Sequence, residues 1–184
     1  MKKQKNNKNS KDGLTIRVLT TRDANSYFQI AREDEDLKRY ARFFIVSSID
    51  EAKKKGVVLD LELLSSQLSI PVIACSARYN EAIYGLFTKS NRLVAVFDVN
   101  DNFDETGAVD GAIVHYFVGK KYRGNNYAYR GIKKLASELA QEYLKLKFEI
   151  RKTNHASLAV QAKLGSEMDT SYASTDCNLF VYNI

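Results

Sequence analysis

The second half of the chain alternates between strand-like and helix-like segments, and this order constrains the fold more than any other feature of the sequence. Runs of β-branched and aromatic residues are typical of buried strands, whereas apolar residues three and four apart predict helices. A β-loop-α-β-α-β series of this kind predicts helices packed on a mostly continuous sheet, an α/β fold. The strands of this series are Ala108–Val118, Leu146–Ile150 and Asn178–Tyr182, its helices are Tyr127–Tyr143 and Ala156–Leu164, and a further predicted strand, Leu93–Val99, precedes it.

The beginning of the chain also shows regular patterns. Leu14, Ile16 and Val18 alternate with neighbouring residues, which predicts a half-buried first strand. The segment Thr21–Asp23 then offers hydroxyl and carboxylate caps to a helix that contains Tyr27. This order predicts a strand followed closely by a helix.

The middle of the chain is harder to interpret. Ser48 and Glu51 form a capping box, which predicts a helix that Gly56 can end. Residues 57–89 fit no single pattern, although Ile83–Phe87 resembles a short strand.

Size and composition favour one folded domain. The chain has 184 residues, of which 45% are hydrophobic and 27% charged, as in an ordinary globular protein. No apolar run approaches the ~20 residues that a membrane helix needs, so we expect a cytoplasmic protein without membrane contact. Cys75 and Cys177 lie far apart and share no ligand-like spacing with His115 or His155, so no metal site is predicted.

The N-terminal segment differs in composition from the rest of the chain. Five lysines and one aspartate in residues 1–12 contribute +4 of the formal net charge of +6. Because this segment is polar and lacks apolar groups, we expect residues 1–13 to be a disordered basic tail and residues 14–184 to be a single domain. The tail could contact ribosomal RNA, but no basic stripe continues into the domain, and nucleic-acid binding is not the expectation.

The turn between the predicted strand Ala108–Val118 and the predicted helix Tyr127–Tyr143 contains the most informative residues. A turn there can direct several backbone N–H groups outward, and the helix start adds the positive end of its dipole, which together suit a pyrophosphate. Gly124 would allow a ligand to approach the backbone, and Asn125 and Asn126 tolerate positive φ. A plain strand-to-helix connector is an equally good interpretation of the turn taken alone.

Two sequence blocks resemble a known family. Arg123-Gly124-Asn125-Asn126-Tyr127-Ala128 resembles the acetyl-CoA signature of the GNAT acetyltransferase superfamily: Arg or Gln, two variable residues, Gly, one variable residue, then Gly or Ala. Asn126 stands where that pattern has glycine. Asn154-His155-Ala156-Ser157 followed by Lys163-Leu164-Gly165 is similar to the "Asn-x-x-Ser … Lys-Leu-Gly-Phe" of the branch that acetylates ribosomal-protein N-termini, with Ser166 replacing the phenylalanine.

The resemblance implies a GNAT-like fold, with a mixed, mostly antiparallel central sheet flanked by helices, and an acetyl-CoA-dependent N-acetyltransferase that transfers the acetyl group directly to an amine. It implies an oxyanion donor in the backbone N–H of Phe117 or Val118, and contacts from Asn154 and Ser157 to the pantetheine arm. Ser157 would also relay a proton to sulfur. The pyrophosphate would lie on the backbone of Arg123, Gly124, Asn125, Asn126, Tyr127 and Ala128.

The catalytic acid and base are less well defined. The tyrosine that many relatives carry on the last short helix falls at Gln161 here, and the glutamate of the fourth strand falls at Ile113. His115 is the preferred base, since an unperturbed histidine has a pKa of ~6.5. It could equally be a hydrogen-bonded histidine on a half-buried strand, and Asp98, Asp110 or a water chain are alternatives.

The acceptor is predicted only as a primary amine, either a protein N-terminus or a small amine. Two other functions fit the sequence: a GNAT-fold module that binds CoA with weak or no catalysis, and a ribosome- or RNA-associated module that uses the tail. The final strand Asn178–Tyr182 could pair across a homodimer.

Overall fold

One mixed sheet organises the described part of the chain. The computed structural model describes residues 12–32 and 82–184, and these contain a seven-stranded sheet with the order β1-β2-β3-β4-β5-β7-β6. The strands are β1 (Leu14–Val18), β2 (Ala82–Thr88), β3 (Leu93–Phe103), β4 (Val109–Val118), β5 (Lys145–Arg151), β6 (Glu167–Met168) and β7 (Cys177–Asn183). The helices are α1 (Ala24–Arg32), α2 (Tyr127–Leu139) and α3 (His155–Leu164), with 3-10 turns at Thr21–Asp23 and Lys120–Tyr122.

The sheet is antiparallel except at the centre, where β4 and β5 run parallel. Their pairing consists of two residue pairs, Ala112 with Leu146 and Ile113 with Lys147. Beyond Ile113 the two strands separate, while β4 remains paired with β3 as far as Val118. The separation leaves a gap at the carboxyl end of β4. The prediction of a mostly antiparallel sheet flanked by helices is confirmed.

Contacts at the amino end of β4 hold this strand against β5, so the gap is closed at that end. Gly111 has φ of +110°, and a Cβ at this position would lie 2.7 Å from the carbonyl oxygen of Lys145. The Asp110 carboxylate forms ion pairs with Lys145 Nζ at 2.5 Å and Lys147 Nζ at 2.7 Å. These hydrogen bonds, from Lys145 first and then Lys147, lower the pKa of Asp110. Asp110 therefore holds the closed end together and lies away from the gap.

The two faces of the sheet carry different helices. On one face, α2 approaches closely because Gly131 packs against Phe97 and Leu86, where a Cβ would lie 2.2 Å from the Phe97 ring. On the other face, Tyr27 of α1 packs edge-on against Phe117 at a centroid distance of 5.9 Å. Successive residues of β4 alternate between these faces.

Several predicted boundaries change. β3 extends to Phe103 instead of ending at Val99, and α2 ends at Leu139, with Tyr143 following as a buried residue that donates to Asp101 Oδ1 at 2.5 Å. The two-residue strand β6 was not predicted, and it occupies the outer edge of β7 at Phe180 and Val181. The final strand is thus not the edge of the sheet, and its pairing in a homodimer remains a prediction.

Asp12 contacts helix α2, and the division of the chain into a tail and a domain stays a prediction. Asp12 was assigned to the tail, but its carboxylate lies 3.2 Å from Arg130 Nη2 and 3.0 Å from Lys134 Nζ on α2. The helix predicted from Ser48 and the ambiguous residues 57–81 lie outside the described residues. Among the helices in the described ranges, none is long and apolar enough to cross a membrane.

Replacing Gly111 by alanine tests whether close approach at this point is needed. We expect Gly111→Ala to lower the free energy of unfolding by about 1–3 kcal/mol more than Gly107→Ala, because forced overpacking costs that much. Gly107 is a matched control, since its φ is also positive at +82° and nothing lies within 4 Å of its added Cβ. Urea denaturation measures the free energy of unfolding of both variants. Equal losses of stability would show that the backbone at Lys145 can move aside without cost.

Candidate functional site

A cleft of about 460 Å³ opens where β4 and β5 separate. Its walls come from three segments: the end of β4, the turn that leads into α2, and the first turns of α3. Tyr116, Phe117 and Val118 contribute from β4, and Asn154 and Ser157 contribute from α3. The cleft therefore brings together both sequence blocks that carry the family resemblance.

The turn before α2 and the first residues of that helix line this cleft. The first hydrogen bond of α2 runs from the Arg130 N–H to the Asn126 carbonyl at 3.0 Å, so the amides of Tyr127, Ala128 and Tyr129 precede it. Gly124 has φ of +79° and no atom within 4 Å of an added Cβ, which leaves room for a ligand. Such a helix start attracts anions through its N–H groups and its dipole.

Asn126 explains how the turn forms without a second glycine. This residue has φ of +57°, the left-handed conformation that asparagine tolerates better than most residues. Its Oδ1 accepts a hydrogen bond of 3.0 Å from Lys163 Nζ on α3. The signature position that departs from the family pattern therefore keeps the backbone conformation that a glycine would supply.

The side chains of Arg123 and Asn125 stabilise the turn from outside. Arg123 Nε donates to the Val118 carbonyl at 3.3 Å, and Asn125 Nδ2 donates to the carbonyls of Tyr122 and Arg123 at 3.1 Å each. Of the two asparagines predicted to tolerate positive φ, only Asn126 adopts it within the described residues.

The backbone of β4 distinguishes between Phe117 and Val118. The Gly119 N–H donates to the Val94 carbonyl on β3 at 3.0 Å, and antiparallel pairing directs every second amide to the same neighbour. The Phe117 N–H therefore points to β3, and the Val118 N–H points toward the gap. Of the two predicted oxyanion donors, Val118 has the suitable orientation.

Asn154 and Ser157 lie at the start of α3. Asn154 caps the helix, its Oδ1 accepting a hydrogen bond of 3.2 Å from the Ser157 N–H. Because the cap uses the carbonyl oxygen of this side chain, its amide nitrogen is the group that suits a ligand acceptor.

Tyr116 is a site residue that sequence reasoning missed. Its side chain lines the cleft, its hydroxyl is buried, and that hydroxyl makes no hydrogen bond to the residues that the structure describes. Burial raises the pKa of Tyr116, while the adjacent Ser157 and Gln161 side chains oppose the shift. Because side chains alternate along β4, Tyr116 must lie on the face opposite to that of His115, and this alternation was the sequence signal for its position.

Tyr129, in the first turn of α2, also lines the cleft. Lys163 contributes a positive charge there, with its Nζ 4.8 Å from the centroid of the Tyr129 ring. Their position depends on how α3 docks against α2, which spacing along one helix does not reveal.

His115 lies on the other face of β4, away from the described lining of the cleft. It is half-buried and paired across the sheet with Asp98 of β3. Buried Tyr27 of α1 faces the same side, and burial followed by the charge of Asp98 raises the pKa of its phenol. The two predicted catalytic residues are therefore separated: Ser157 lies in the cleft, and His115 lies on the face that α1 covers.

Two central strands that separate, with a helix start lining the gap between them, suit an extended anionic ligand. The family model for the acetyltransferase (GNAT) domain matches residues 13–167, so the chain belongs to the GNAT acetyltransferase family. This confirms the predicted family and the prediction of an acetyltransferase enzyme. Acetyl-CoA as the co-substrate agrees with this family. No curated protein matches the chain in sequence.

Solved structures share the fold at low sequence identity. The RimL ribosomal L7/L12 alpha-N-protein acetyltransferase in complex with coenzyme A is 15% identical, with 94% of each chain covered and a TM-score of 0.71. The microcin C7 self-immunity acetyltransferase MccE in complex with acetyl-CoA and AMP is 16% identical, with 94% of this chain and 93% of that chain covered and a TM-score of 0.70. The ribosomal-protein-S5-alanine acetyltransferase from Vibrio fischeri is 14% identical, with 95% and 94% covered and a TM-score of 0.67.

The left-handed conformation of Asn126 leads to a stability prediction. Asn126→Ala should lower the free energy of unfolding by about 1–2 kcal/mol relative to Asn126→Gly, because left-handed backbone costs about that much for an ordinary residue. Both variants lose the hydrogen bond with Lys163, so the difference between their free energies of unfolding reports on the backbone conformation at residue 126. Chemical denaturation measures this difference, and equal stability would contradict the role assigned to positive φ.

Proposed function

We propose that this protein transfers the acetyl group of acetyl-CoA to a primary amine by direct attack of the amine on the thioester. The observation that carries the proposal is the cleft between β4 and β5, which the start of α2 lines. An anionic, elongated co-substrate complements this arrangement at both ends: its pyrophosphate suits the helix start, and its pantetheine arm suits the gap.

The pyrophosphate is assigned to the turn from Arg123 to Ala128. Gly124 leaves the backbone accessible, and the amides of Tyr127 and Ala128 precede the first helical hydrogen bond. Lys163, which lines the same cleft, adds positive charge. These features are the ones that stabilise phosphate groups at helix starts.

The pantetheine arm is assigned to the gap between the separated strands. The Val118 N–H faces this gap, and Asn154 presents its amide nitrogen from the opposite wall. When bound, acetyl-CoA would supply the activated thioester. Attack of the amine makes the carbonyl oxygen negative, and a backbone N–H directed at that oxygen lowers the barrier. We assign this role to Val118.

His115 is proposed as the group that removes the proton from the amine. Its pairing with Asp98 on the neighbouring strand brings a carboxylate to the same face, where it would orient the imidazole and stabilise its charged form. The amine would then approach from the face that carries α1, and the cofactor would approach from the cleft on the other side of β4.

The acceptor is proposed to be the N-terminal amine of a protein. Two of the structures that share the fold bear names of ribosomal-protein acetyltransferases, and the sequence blocks around Arg123 and Asn154 resemble that branch. MccE, whose name gives a different biological role, shares the fold equally well, so small amines belong in the same assay.

Cofactor binding is predicted to stabilise the folded protein. Ligand at 100 times its Kd adds about 2.7 kcal/mol to the free energy of unfolding. We expect acetyl-CoA to raise the Tm of the wild type by several degrees and to leave the Tm of Gly124→Glu unchanged, because the added carboxylate repels the pyrophosphate.

Gly107→Glu is the matched control for that experiment. Gly107 and Gly124 both have positive φ and no atom within 4 Å of an added Cβ, but Gly107 lies in the loop between β3 and β4. Gly107→Glu should keep the stabilisation by acetyl-CoA. A wild type that millimolar acetyl-CoA does not stabilise would refute the proposed cofactor site.

Turnover is predicted to depend on one of the two histidines. His115→Gln should lower kcat/KM by about 10²-fold or more, as expected for loss of a general base. His155→Gln, which changes the exposed histidine at the start of α3, should leave it unchanged. Thiol release from acetyl-CoA with peptides and small amines measures both. Equal activity of the two variants would remove His115 from the mechanism, and a wild type that binds CoA but acetylates no amine would favour a binding module.

A further inference from the structure

The Tyr116 side chain combines three features that its neighbours do not share. It lines the cleft, its hydroxyl is buried, and that hydroxyl makes no hydrogen bond to the described residues. A buried polar group without a partner destabilises a protein, so such groups are rare and call for an explanation. A ligand atom in the cleft would supply the missing partner.

The ring of Tyr116 is held firmly in its position. It packs against Phe97 of β3 and Phe148 of β5, with both ring centroids at 6.1 Å. Phe97 and Phe148 are both fully buried, so the phenol has little freedom to turn away from the cleft wall.

Gln161 lies next to the same hydroxyl and is itself fully buried. Its Oε1 accepts a hydrogen bond of 2.7 Å from Ser166 Oγ, whereas its Nε2 makes no hydrogen bond to the described residues. With the carbonyl side of the amide occupied, the nitrogen is the group left to donate toward Tyr116 Oη. The phenol oxygen would then accept from Gln161, and its own proton would be directed at another acceptor.

We propose that Tyr116 is the general acid that protonates the sulfur of coenzyme A as it leaves. The inference rests on the proposed acetyl transfer. When the tetrahedral intermediate collapses, the C–S bond breaks, its electron pair passes to sulfur, and the Tyr116 O–H proton moves to sulfur to give the thiol. The phenolate regains a proton from solvent through the Ser157 hydroxyl, while the proton lost by the amine leaves through its own base, so the protons balance.

A phenol suits this role better than the serine beside it. Unperturbed phenols have a pKa near 10 and thiols near 8.5, roughly, whereas an aliphatic hydroxyl is a far weaker acid. An unperturbed phenol is already protonated at neutral pH, and because burial raises the pKa of Tyr116 further, the residue still carries its proton when the thiolate leaves. Ser157 is adjacent to it and is half-buried, which fits a relay between the phenol and solvent.

The inference can be tested by binding alone, without knowledge of the acceptor. The probes are coenzyme A and desulfo-coenzyme A, which lacks the sulfur, each titrated by calorimetry from pH 7 to 9.5. A donor to sulfur favours the thiolate, so the affinity ratio of coenzyme A over the desulfo analogue should rise with pH. We expect a rise of about 10-fold for the wild type, the size of one hydrogen bond to a charged group.

Tyr116→Phe should keep this ratio flat across the pH range, since it removes only the hydroxyl and keeps the ring. Tyr84→Phe is the matched control: Tyr84 is a half-buried tyrosine on β2, outside the described cleft lining, and burial raises its pKa to about 12. Its ratio should follow the wild type. A ratio that rises equally in Tyr116→Phe, or that stays flat in the wild type, would overturn the inference.

Turnover provides the second readout. Tyr116→Phe should lower kcat at least 10²-fold on any amine that the wild type acetylates, with the KM for acetyl-CoA changed less than threefold, because the acid acts after binding. Unchanged kcat would overturn the inference and leave the proposed acetyl transfer intact. Absence of any coenzyme A binding by the wild type would instead refute the proposed function itself.

Discussion

The short parallel contact between β4 and β5 is the constraint on which the rest of the site depends. Gly111 allows the strands to touch at Lys145, and the pairing ends after Ile113. From there the edge of β4 has lost its neighbour, although the strand lies in the middle of the sheet. Backbone groups in such a place need partners. A ligand with amide groups of its own can serve as the missing strand, and the proposed binding site rests on this.

Contacts in the structure accommodate the departures from the family signature. Asn126 adopts the φ of +57° that the missing glycine would have supplied, and it also binds Lys163. Gln161 and Ser166 replace an aromatic pair in the resemblance, and here Ser166 Oγ donates a hydrogen bond of 2.7 Å to Gln161 Oε1. A tyrosine was expected at 161 from the resemblance, and the structure instead places the Tyr116 hydroxyl next to that residue.

The sequence was sufficient for the longer strands and helices of the second half and for the turn, because both depend on local chemistry. Strand periodicity located β4 and β5, and the Gly124–Asn126 segment indicated a turn before a helix. The proximity of Tyr116 to Gln161 could not be predicted from the sequence, because it depends on how α3 docks on β4. The strand β6 was missed because two residues carry no periodicity. Boundaries moved where tertiary contacts decide them, as at Tyr143, which leaves the helix to bind Asp101.

Alternation along one strand gives the proposed chemistry its geometry. His115 and Tyr116 are consecutive, so their side chains must point to opposite faces of β4, with α1 on one side and α3 on the other. Acetyl transfer needs a proton removed from the attacking nitrogen and a proton delivered to the departing sulfur, and these atoms lie on different sides of the same carbon. A base and an acid on opposite faces of one strand meet both needs. In the same proposal the Val118 amide, two residues beyond Tyr116, serves the oxygen between them. The incomplete strand pair therefore accounts for the cofactor gap and for the separation of acid from base.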